Sequence, residues 1–356
     1  MKHILGFFFC TCLCISIPVN ALVVLQYHHI SDDTPASTST SPEVFEKHLE
    51  YLDQQNFDVI GLDKLAALIR QGKPLPDKTV VITFDDGYLS VYKQAYPRLA
   101  RYGFSFSVFI NTLPHNAENP LFMSWEQMRE MSAHGVIFAN HTVSHPHLIR
   151  RGQGESASEW RQRVWNEISR AEEIIRQQLQ QHHKLLAYPY GEYNAALKKL
   201  LDEKGYLAFG QHSGPLSPNS DRQALPRFPF GGVYGDLNGF ITKVNTLSMP
   251  LESVGVYGNA DAVLSEPELP ADVLRPQLVL TFDSSAIARK ITCFASGQGS
   301  IPVEVRDNRA IAQAPKALPV GRSRYNCTAP SGEAGRFYWY SQMFIRRQPD
   351  GDWYPE

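Results

Sequence analysis

Short and almost continuous apolar runs recur through the first two thirds of the sequence, and they constrain the fold more than any other feature. Parallel strands that are buried on both faces have this near-continuous apolar character. Helical patterns separate the runs, so the chain predicts parallel β/α units arranged as a closed barrel or as an open doubly wound sheet. The predicted strands are Leu22–Tyr27, Val80–Phe84, Ser107–Ile110, Val136–Asn140, Leu185–Tyr188, Leu207–Phe209 and Leu225–Phe228.

Residues typical of helix ends mark the segments between these strands. Ser41 precedes the first helical segment as an N-cap, and a glycine follows several of the others. In both arrangements of β/α units, functional residues are expected at the carboxyl ends of the strands. The predicted helices are Pro42–Gln55, Leu62–Gln71, Tyr88–Arg101, Ser124–Ala133, Ser158–Gln181 and Tyr193–Lys204.

The pattern changes near Met249, beyond which no helical periodicity persists. Turn signals such as Gly297-Gln298-Gly299 separate short apolar segments, which is typical of a small antiparallel β module. We therefore expect an α/β domain over residues 22–245 and a β-sandwich over residues 246–356. The strands predicted for the second domain are Leu278–Phe282, Ala288–Ala295, Ile301–Val305 and Phe337–Arg346.

The first residues have the order of features of a secretory signal peptide. Lys2 precedes an apolar run over residues 4–19, and the small residue Ala21 fits a cleavage site. We expect cleavage after Ala21, export to the periplasm or the medium, and no stable membrane insertion afterwards. The alternative is an uncleaved N-terminal anchor.

Of the 5 cysteines, only Cys293 and Cys327 lie outside the predicted signal peptide, which contains Cys10, Cys12 and Cys14. Two cysteines in an exported chain indicate one disulfide, so we predict the pair Cys293–Cys327. A metal site built on these two cysteines alone is the weaker alternative.

The charge balance argues against nucleic acid as a partner. The chain has 34 Lys and Arg against 36 Asp and Glu, a formal net charge of −2, and no basic stripe that could follow a phosphate backbone. A neutral partner fits this balance better than a polyanion.

Two adjacent carboxylates follow the strand Val80–Phe84 directly, in Asp85-Asp86-Gly87. Successive side chains of a strand face opposite sides, so both carboxylates can serve one site only where the strand ends and the backbone turns, as Gly87 permits. The alternative is a pair of capping residues for the helix that follows.

Histidines follow the strand Val136–Asn140 in the same way, in His141-Thr142-Val143-Ser144-His145-Pro146-His147. Two histidines four residues apart at a strand end can turn towards a common point, and two histidines with one carboxylate form an ordinary open metal site. The strand Leu185–Tyr188 runs into a third segment, Tyr188-Pro189-Tyr190-Gly191.

These three segments, in this order, resemble the motifs of the NodB-homology polysaccharide deacetylases, carbohydrate esterase family 4. The resemblance covers roughly residues 22–245 and implies a distorted (β/α)7 barrel. It also implies that Asp85 is the general base and that Asp86, His141 and His145 bind the metal. The metal expected is Zn²⁺, with Co²⁺ or Ni²⁺ as alternatives, and the backbone N–H of Tyr190 would stabilise the oxyanion.

The sequence departs from the family pattern at the cation that pairs with the base. The family has an arginine where this chain has Ala187. Arg227, near the end of the last predicted strand, is our candidate for the same role. A pairing with a structural carboxylate or exposure to solvent is the alternative for this residue.

The family's usual acid histidine on a late strand has no counterpart after residue 230. The first strand, however, ends in Leu25-Gln26-Tyr27-His28-His29-Ile30, which resembles the poly-β-1,6-N-acetylglucosamine deacetylases of the PgaB and IcaB type. That resemblance implies that His28 is the general acid. His29 and His212 are the other candidates.

The resemblance implies an exported, metal-dependent enzyme that removes N-acetyl groups from a polysaccharide containing N-acetylglucosamine. Two alternatives stay open at this point. The substrate can be peptidoglycan or chitin oligomers, or the chain can be a glycan-binding protein on the same fold without turnover. The sequence leaves the oligomeric state undetermined.

Overall fold

The computed structural model describes residues 22–117, 119–265 and 267–355. The predicted signal peptide and its three cysteines lie outside the described residues. In the described part of the chain, no helix is both long enough and apolar enough to cross a lipid bilayer.

A parallel sheet forms the larger part of the molecule. Its strands follow one another in the order β10-β1-β5-β6-β7-β8-β9, and the short strand β4 pairs with β5. Two further short strands, β2 and β3, pair with each other. The bounds are β1 Leu22–Tyr27, β2 His29–Ile30, β3 Ser39–Thr40, β4 Asp58–Val59, β5 Thr79–Asp86, β6 Phe106–Ile110, β7 Ile137–Asn140, β8 Leu185–Ala187, β9 Leu207–Phe209 and β10 Phe228–Pro229.

The segment before β10 brings the two ends of this sheet together. Leu225 donates its N–H to the carbonyl of Ala208 at 2.8 Å and accepts a bond from Gly210 N–H at 2.9 Å. A few residues later, β10 pairs in parallel with β1. The predicted strand Leu225–Phe228 thus joins both edges, as the distorted (β/α)7 barrel requires.

The strands are buried on both faces, which explains their continuous apolar sequence. Val23, Leu25 and Tyr27 of β1 pack in a core with the surrounding helices. Leu22 and Val24 belong to a second cluster that also contains Phe109 and Phe209, whose rings lie 5.5 Å apart. Because β6 and β9 are distant in the sheet, this second cluster fills the inside of the barrel.

The helices agree with the predicted ones to within a few residues, with one exception. Residues Val91–Ala95 form a π-helical turn ahead of α3, where the sequence predicted one continuous helix. Ser124 and Ser156 form capping boxes at the starts of α5 and α6. The bounds are α1 Pro42–Gln54, α2 Leu62–Arg70, α3 Tyr96–Tyr102, α4 Thr112–Asn116, α5 Trp125–Ala133, α6 Ala157–Leu179, α7 Ala195–Glu203, α8 Leu237–Val244 and α9 Ser285–Ala288.

Two sheets pack face to face in the C-terminal part of the chain. One has the order β11-β19-β18-β14-β15 and the other β12-β13-β17-β16, and a shared apolar core lies between them. The disulfide Cys293–Cys327 joins β14 to β18 within that core. The bounds are β11 Leu247–Ser248, β12 Leu251–Tyr257, β13 Gln277–Phe282, β14 Thr292–Ala295, β15 Gly299–Ile301, β16 Val303–Arg306, β17 Arg309–Gln313, β18 Gly321–Pro330 and β19 Phe337–Arg346.

Two of the strands predicted here are wrong in detail. The segment Ala288–Ala295 starts as the end of a helix, and only Thr292–Ala295 is a strand. The segment Ile301–Val305 is divided between the two sheets, with a break between β15 and β16. Four strands of these two sheets, β11, β12, β17 and β18, had no counterpart in the sequence prediction.

The C-terminal sheets contact the barrel directly. The Trp339 ring of β19 meets the Phe228 ring of β10 edge-on, with centroids 5.2 Å apart. Arg336 forms a two-pronged ion pair with Asp77, at 2.6 and 2.8 Å.

Candidate metal centre

The backbone turns sharply at the end of β5, and this turn separates the two adjacent carboxylates. Asp86 has a left-handed conformation with φ of 72°, and Gly87 follows with φ of 78°. A β-carbon at Gly87 would lie 2.8 Å from the Ile110 side chain and 2.9 Å from the His115 ring. Glycine is therefore required here by space as well as by conformation.

Side chains fix the loop after β7 by accepting hydrogen bonds from its backbone N–H groups. The Glu167 carboxylate accepts the N–H groups of Val143 and Ser144 at 3.1 and 3.0 Å, and Thr142 Oγ1 accepts the N–H of His145 at 3.1 Å. Thr142 and His145 both have positive φ, of 72° and 57°. These bonds maintain a conformation that is unfavourable for residues other than glycine, and they aim both histidines at one point.

Asp86, His141 and His145 converge at that point. One possible ligand atom from each lies within 4.8 Å of the others. Asp86 Oδ1 is 3.4 Å from His141 Nε2 and 3.7 Å from His145 Nε2. Both Asp86 Oδ1 and His141 Nε2 are buried without a hydrogen-bond partner among the described residues. A divalent cation would satisfy these atoms, so the three side chains fit an open metal site.

The second ring nitrogen of His141 orients it as a ligand. His141 Nδ1 lies 2.8 Å from the carbonyl oxygen of Ala187, which can only accept, so Nδ1 carries the proton and the Nε2 lone pair faces the site. Burial lowers the pKa of His145 to about 4, which keeps its ring neutral. Burial raises the pKa of Asp86, but the proximity of His141 outweighs burial and holds the pKa below its usual value.

Asp85 is fully buried beside this cluster and is held from two sides. Arg227 donates from Nη1 to Oδ1 at 2.7 Å and from Nη2 to Oδ2 at 2.8 Å. Gln26 Nε2 donates to Oδ2 at 2.7 Å. Burial raises the pKa of Asp85, but the Arg227 charge outweighs it and holds the pKa below its usual value. The chain thus has an arginine against Asp85, although Ala187 stands at the family's arginine position.

The three candidate acid histidines lie in different surroundings. His28 follows β1 directly and is partly buried. His29 stacks on Tyr88, with ring centroids 3.6 Å apart. His212 lies in the cleft between the barrel and the C-terminal sheets, with Tyr193 and Trp339. The choice of His28 as the acid stays a prediction.

Tyr190 forms one wall of the centre. Its φ of 59° is left-handed, and its ring stacks on His147 with centroids 3.8 Å apart and planes 9° apart. The same ring meets His145 edge-on at 4.5 Å. Beside it, Glu192 is fully buried and accepts a bond from His147 Nδ1 at 2.8 Å.

Gln26 and Glu192 are site residues that the sequence analysis did not identify. Gln26 occupies an interior position of β1, where a polar residue in an apolar run was the available signal. Glu192 follows the Tyr188–Gly191 segment directly, and its proximity in sequence was the only hint. Neither residue type is diagnostic without its contacts.

Comparisons with known proteins find polysaccharide deacetylases among the similar chains. Residues 72–209 match the family model described as polysaccharide deacetylase. The Bacillus subtilis protein YxkH, which carries the name of a polysaccharide deacetylase, is 29% identical over 207 residues, covering 58% of this chain and 70% of that protein. The poly-beta-1,6-N-acetyl-D-glucosamine N-deacetylase of Escherichia coli (strain K12) is 23% identical over 245 residues, covering 59% of this chain but only 36% of that protein.

A solved structure, IcaB from Ammonifex degensii, superposes with a TM-score of 0.54 and 25% identity. The match covers 61% of this chain and 94% of that protein.

Proposed function

We propose that this protein is a metal-dependent hydrolase acting on glycans, because residues 72–209 match the polysaccharide deacetylase family. It removes N-acetyl groups from a polysaccharide that contains N-acetylglucosamine. The observation that carries the proposal is the convergence of Asp86, His141 and His145 within 4.8 Å, next to the buried Asp85 carboxylate. The intact set of Asp85, Asp86, His141 and His145 weighs against a glycan-binding protein without turnover.

A divalent metal ion held by Asp86, His141 and His145 would polarise the acetamide carbonyl and lower the pKa of an adjacent water. Zn²⁺ is the ion we propose, because two imidazoles and one carboxylate form an ordinary open zinc site. Co²⁺ and Ni²⁺ accept the same ligands.

Asp85 takes up the proton of the attacking water. Its three hydrogen bonds, two from Arg227 and one from Gln26, occupy three of the roughly four acceptor positions of a carboxylate. Arg227 acts as a positioning residue, because its two bonds fix the plane of the carboxylate and keep it ionised. Asp85 therefore stays oriented and able to accept a proton.

His28 donates the proton that the departing amine needs, since an amide C–N bond breaks only when the nitrogen is protonated. The backbone N–H of Tyr190 donates a hydrogen bond to the oxyanion that forms on the former carbonyl oxygen. Water supplies the hydroxyl of the acetate, and the glycan retains a free amine.

The substrate that fits best is poly-β-1,6-linked N-acetylglucosamine. The Escherichia coli relative is named for this polymer, and the segment that ends β1 and continues through His28-His29-Ile30 resembles the same subfamily. An N-acetylated glycan is neutral, in accord with the small net charge of −2. We propose further that the protein is exported, since such polymers lie outside the cytoplasm and the chain contains the disulfide Cys293–Cys327.

Acetate release from a panel of glycans tests this proposal. The metal-loaded protein is incubated with poly-β-1,6-N-acetylglucosamine, chitin oligomers and peptidoglycan, and we expect the fastest release from the first. His141→Ala is the matched control, and it should lose both metal and acetate release. If the metal-loaded protein binds a glycan but releases no acetate from any of the three, it is a binding protein and the proposal is wrong.

A further inference from the structure

We infer that Arg322, a residue of the C-terminal sandwich, positions the Tyr190 turn beside the metal centre. The sandwich would then complete the active site of the barrel rather than act as a separate module. This inference rests on the proposed function for its kinetic consequence, but its structural consequence can be measured without any substrate.

The two faces of β18 have different surroundings, one in the sandwich core and the other towards the barrel. Ser323, Tyr325, Cys327 and Ala329 are buried, while the residues between them are partly or fully exposed. Tyr325 and Cys327 belong to the sandwich core. Since side chains alternate along a strand, Arg322 lies on the opposite face, which is the one that meets the barrel.

Arg322 contacts both the backbone and the ring of Tyr190. Its Nη1 donates to the Tyr190 carbonyl oxygen at 3.3 Å. Its guanidinium carbon lies 5.3 Å from the centroid of the Tyr190 ring, within the range of a cation–π contact. Arg322 Nη1 is also 3.7 Å from Glu192 Oε1, so one guanidinium spans the turn from Tyr190 to Glu192.

Tyr190 requires such support, because its left-handed conformation is unfavourable for a residue with a side chain. A φ of 59° at tyrosine costs free energy and persists only where the surroundings impose it. The Arg322 bond fixes the carbonyl on one side of the residue, and the His147 ring holds the side chain on the other, at 3.8 Å.

Glu192 connects this turn to a second residue from the C-terminal part of the chain. The Tyr354 hydroxyl donates to Glu192 Oε1, and His147 Nδ1 bonds Oε2. Arg150 donates to the Tyr354 carbonyl oxygen at 3.0 Å. A fully buried carboxylate needs such partners, and Arg322 and Tyr354 supply them from outside the barrel.

The position of the Tyr190 turn bears on the chemistry in two ways. The backbone N–H of Tyr190 is the proposed oxyanion donor, and the Tyr190 ring lies 4.5 Å from the ring of His145. A small displacement of the turn would misplace the donor in the transition state while leaving most glycan contacts intact. Loss of Arg322 should therefore lower kcat more than it raises KM.

Arg322→Ala, compared with Arg322→Lys and with Arg336→Ala, tests the inference. Arg336→Ala is the matched control, because it also removes an arginine that ties the sandwich to the barrel, through Asp77, at another place in the interface. We expect Arg322→Ala to lower kcat about tenfold with KM and bound metal within about twofold of the wild type. Arg322→Lys should recover part of kcat, and Arg336→Ala should stay within about twofold.

Hydrogen exchange gives a readout that does not depend on turnover. The N–H groups of Gly191 and Glu192 bond within the turn, to Tyr188 and Pro189. Their exchange should be faster in Arg322→Ala than in the wild type and unchanged in Arg336→Ala. Equal kcat and equal exchange in Arg322→Ala and the wild type would overturn the inference, as would equal losses in both alanine variants. If the wild type releases no acetate, the proposed function fails, and the exchange rates still decide the role of Arg322.

Discussion

The buried pair Asp85–Arg227 provides a quantitative test of how the site is built. Both side chains have 0% exposure, and two hydrogen bonds of 2.7 and 2.8 Å join them. Surface ion pairs contribute at most about 1 kcal/mol, whereas breaking a buried pair costs about 3–5 kcal/mol because the remaining charge is left uncompensated. Arg227→Met should therefore lower the free energy of unfolding by about 3–5 kcal/mol.

Asp85→Asn should cost a similar amount, because Arg227 would then be the uncompensated charge. The double variant removes both charges at once, and apolar or neutral replacements of a buried pair are often nearly neutral. We expect the double variant to be more stable than the sum of the single effects predicts, by at least about 2 kcal/mol. Acetate release should be lost in every variant that lacks Asp85, including the stable double variant.

Urea unfolding of the four proteins in the presence of a chelator measures these effects, since bound metal would otherwise add its own stabilisation. If each single variant lost less than about 1 kcal/mol in free energy of unfolding and the two losses simply added in the double variant, Asp85 and Arg227 would not be a coupled buried pair. The pair would then behave as a solvent-exposed one, and Arg227 could not be what keeps Asp85 ionised.

Three further predictions concern separate parts of the chain. His28→Ala should retain bound metal but lose about 100-fold or more in turnover, measured as acetate release, and wild-type turnover would exclude His28 as the acid. Replacing Cys293 and Cys327 with serine should lower the free energy of unfolding by about 4 kcal/mol, because the disulfide closes a loop of 34 residues. Thermal unfolding measures this loss, and an unchanged Tm would contradict the prediction. Burial lowers the pKa of His48 to about 3, so the wild type should lose stability as the pH falls from about 6.5 towards 3. His48→Phe, which keeps the ring stacked on Phe240, should show a smaller loss over the same range of pH, and an equal loss would count against the prediction.

The barrel was predictable because its strands are buried on both faces. β1 is buried at all six positions, and such a run cannot be confused with an amphipathic segment. The expectation of functional residues at strand ends then selected the candidate metal ligands, since Asp86 ends β5 and His141 follows β7. The π-helical turn over Val91–Ala95 was not predictable, because the helical period is nearly the same on either side of it.

The strands of the sandwich were harder to identify. Burial alternates regularly along β18, but its buried face carries small residues such as Ser323, Cys327 and Ala329, which give no clear apolar pattern in the sequence. β12 is mostly exposed and contains no alternation to detect. Its pairing with β13 exists only in the folded chain.

The contacts between distant segments also lay beyond the sequence. Arg227 was selected for its position near a strand end, but Gln26 and Glu192 are ordinary polar residues until the fold brings them to their partners. The role inferred for Arg322 depends on how the sandwich sits against the barrel, which no local pattern encodes.

Titration of the metal-stripped protein with Zn²⁺, with acetate release from poly-β-1,6-N-acetylglucosamine followed at each step, tests the central claim most directly. We expect no release without metal and a linear rise that saturates at one bound ion per chain. Asp86→Ala should bind Zn²⁺ far more weakly and release little acetate. Full release from the metal-stripped protein, or saturation with Zn²⁺ and no release, would contradict a metal-dependent deacetylase built on Asp86, His141 and His145.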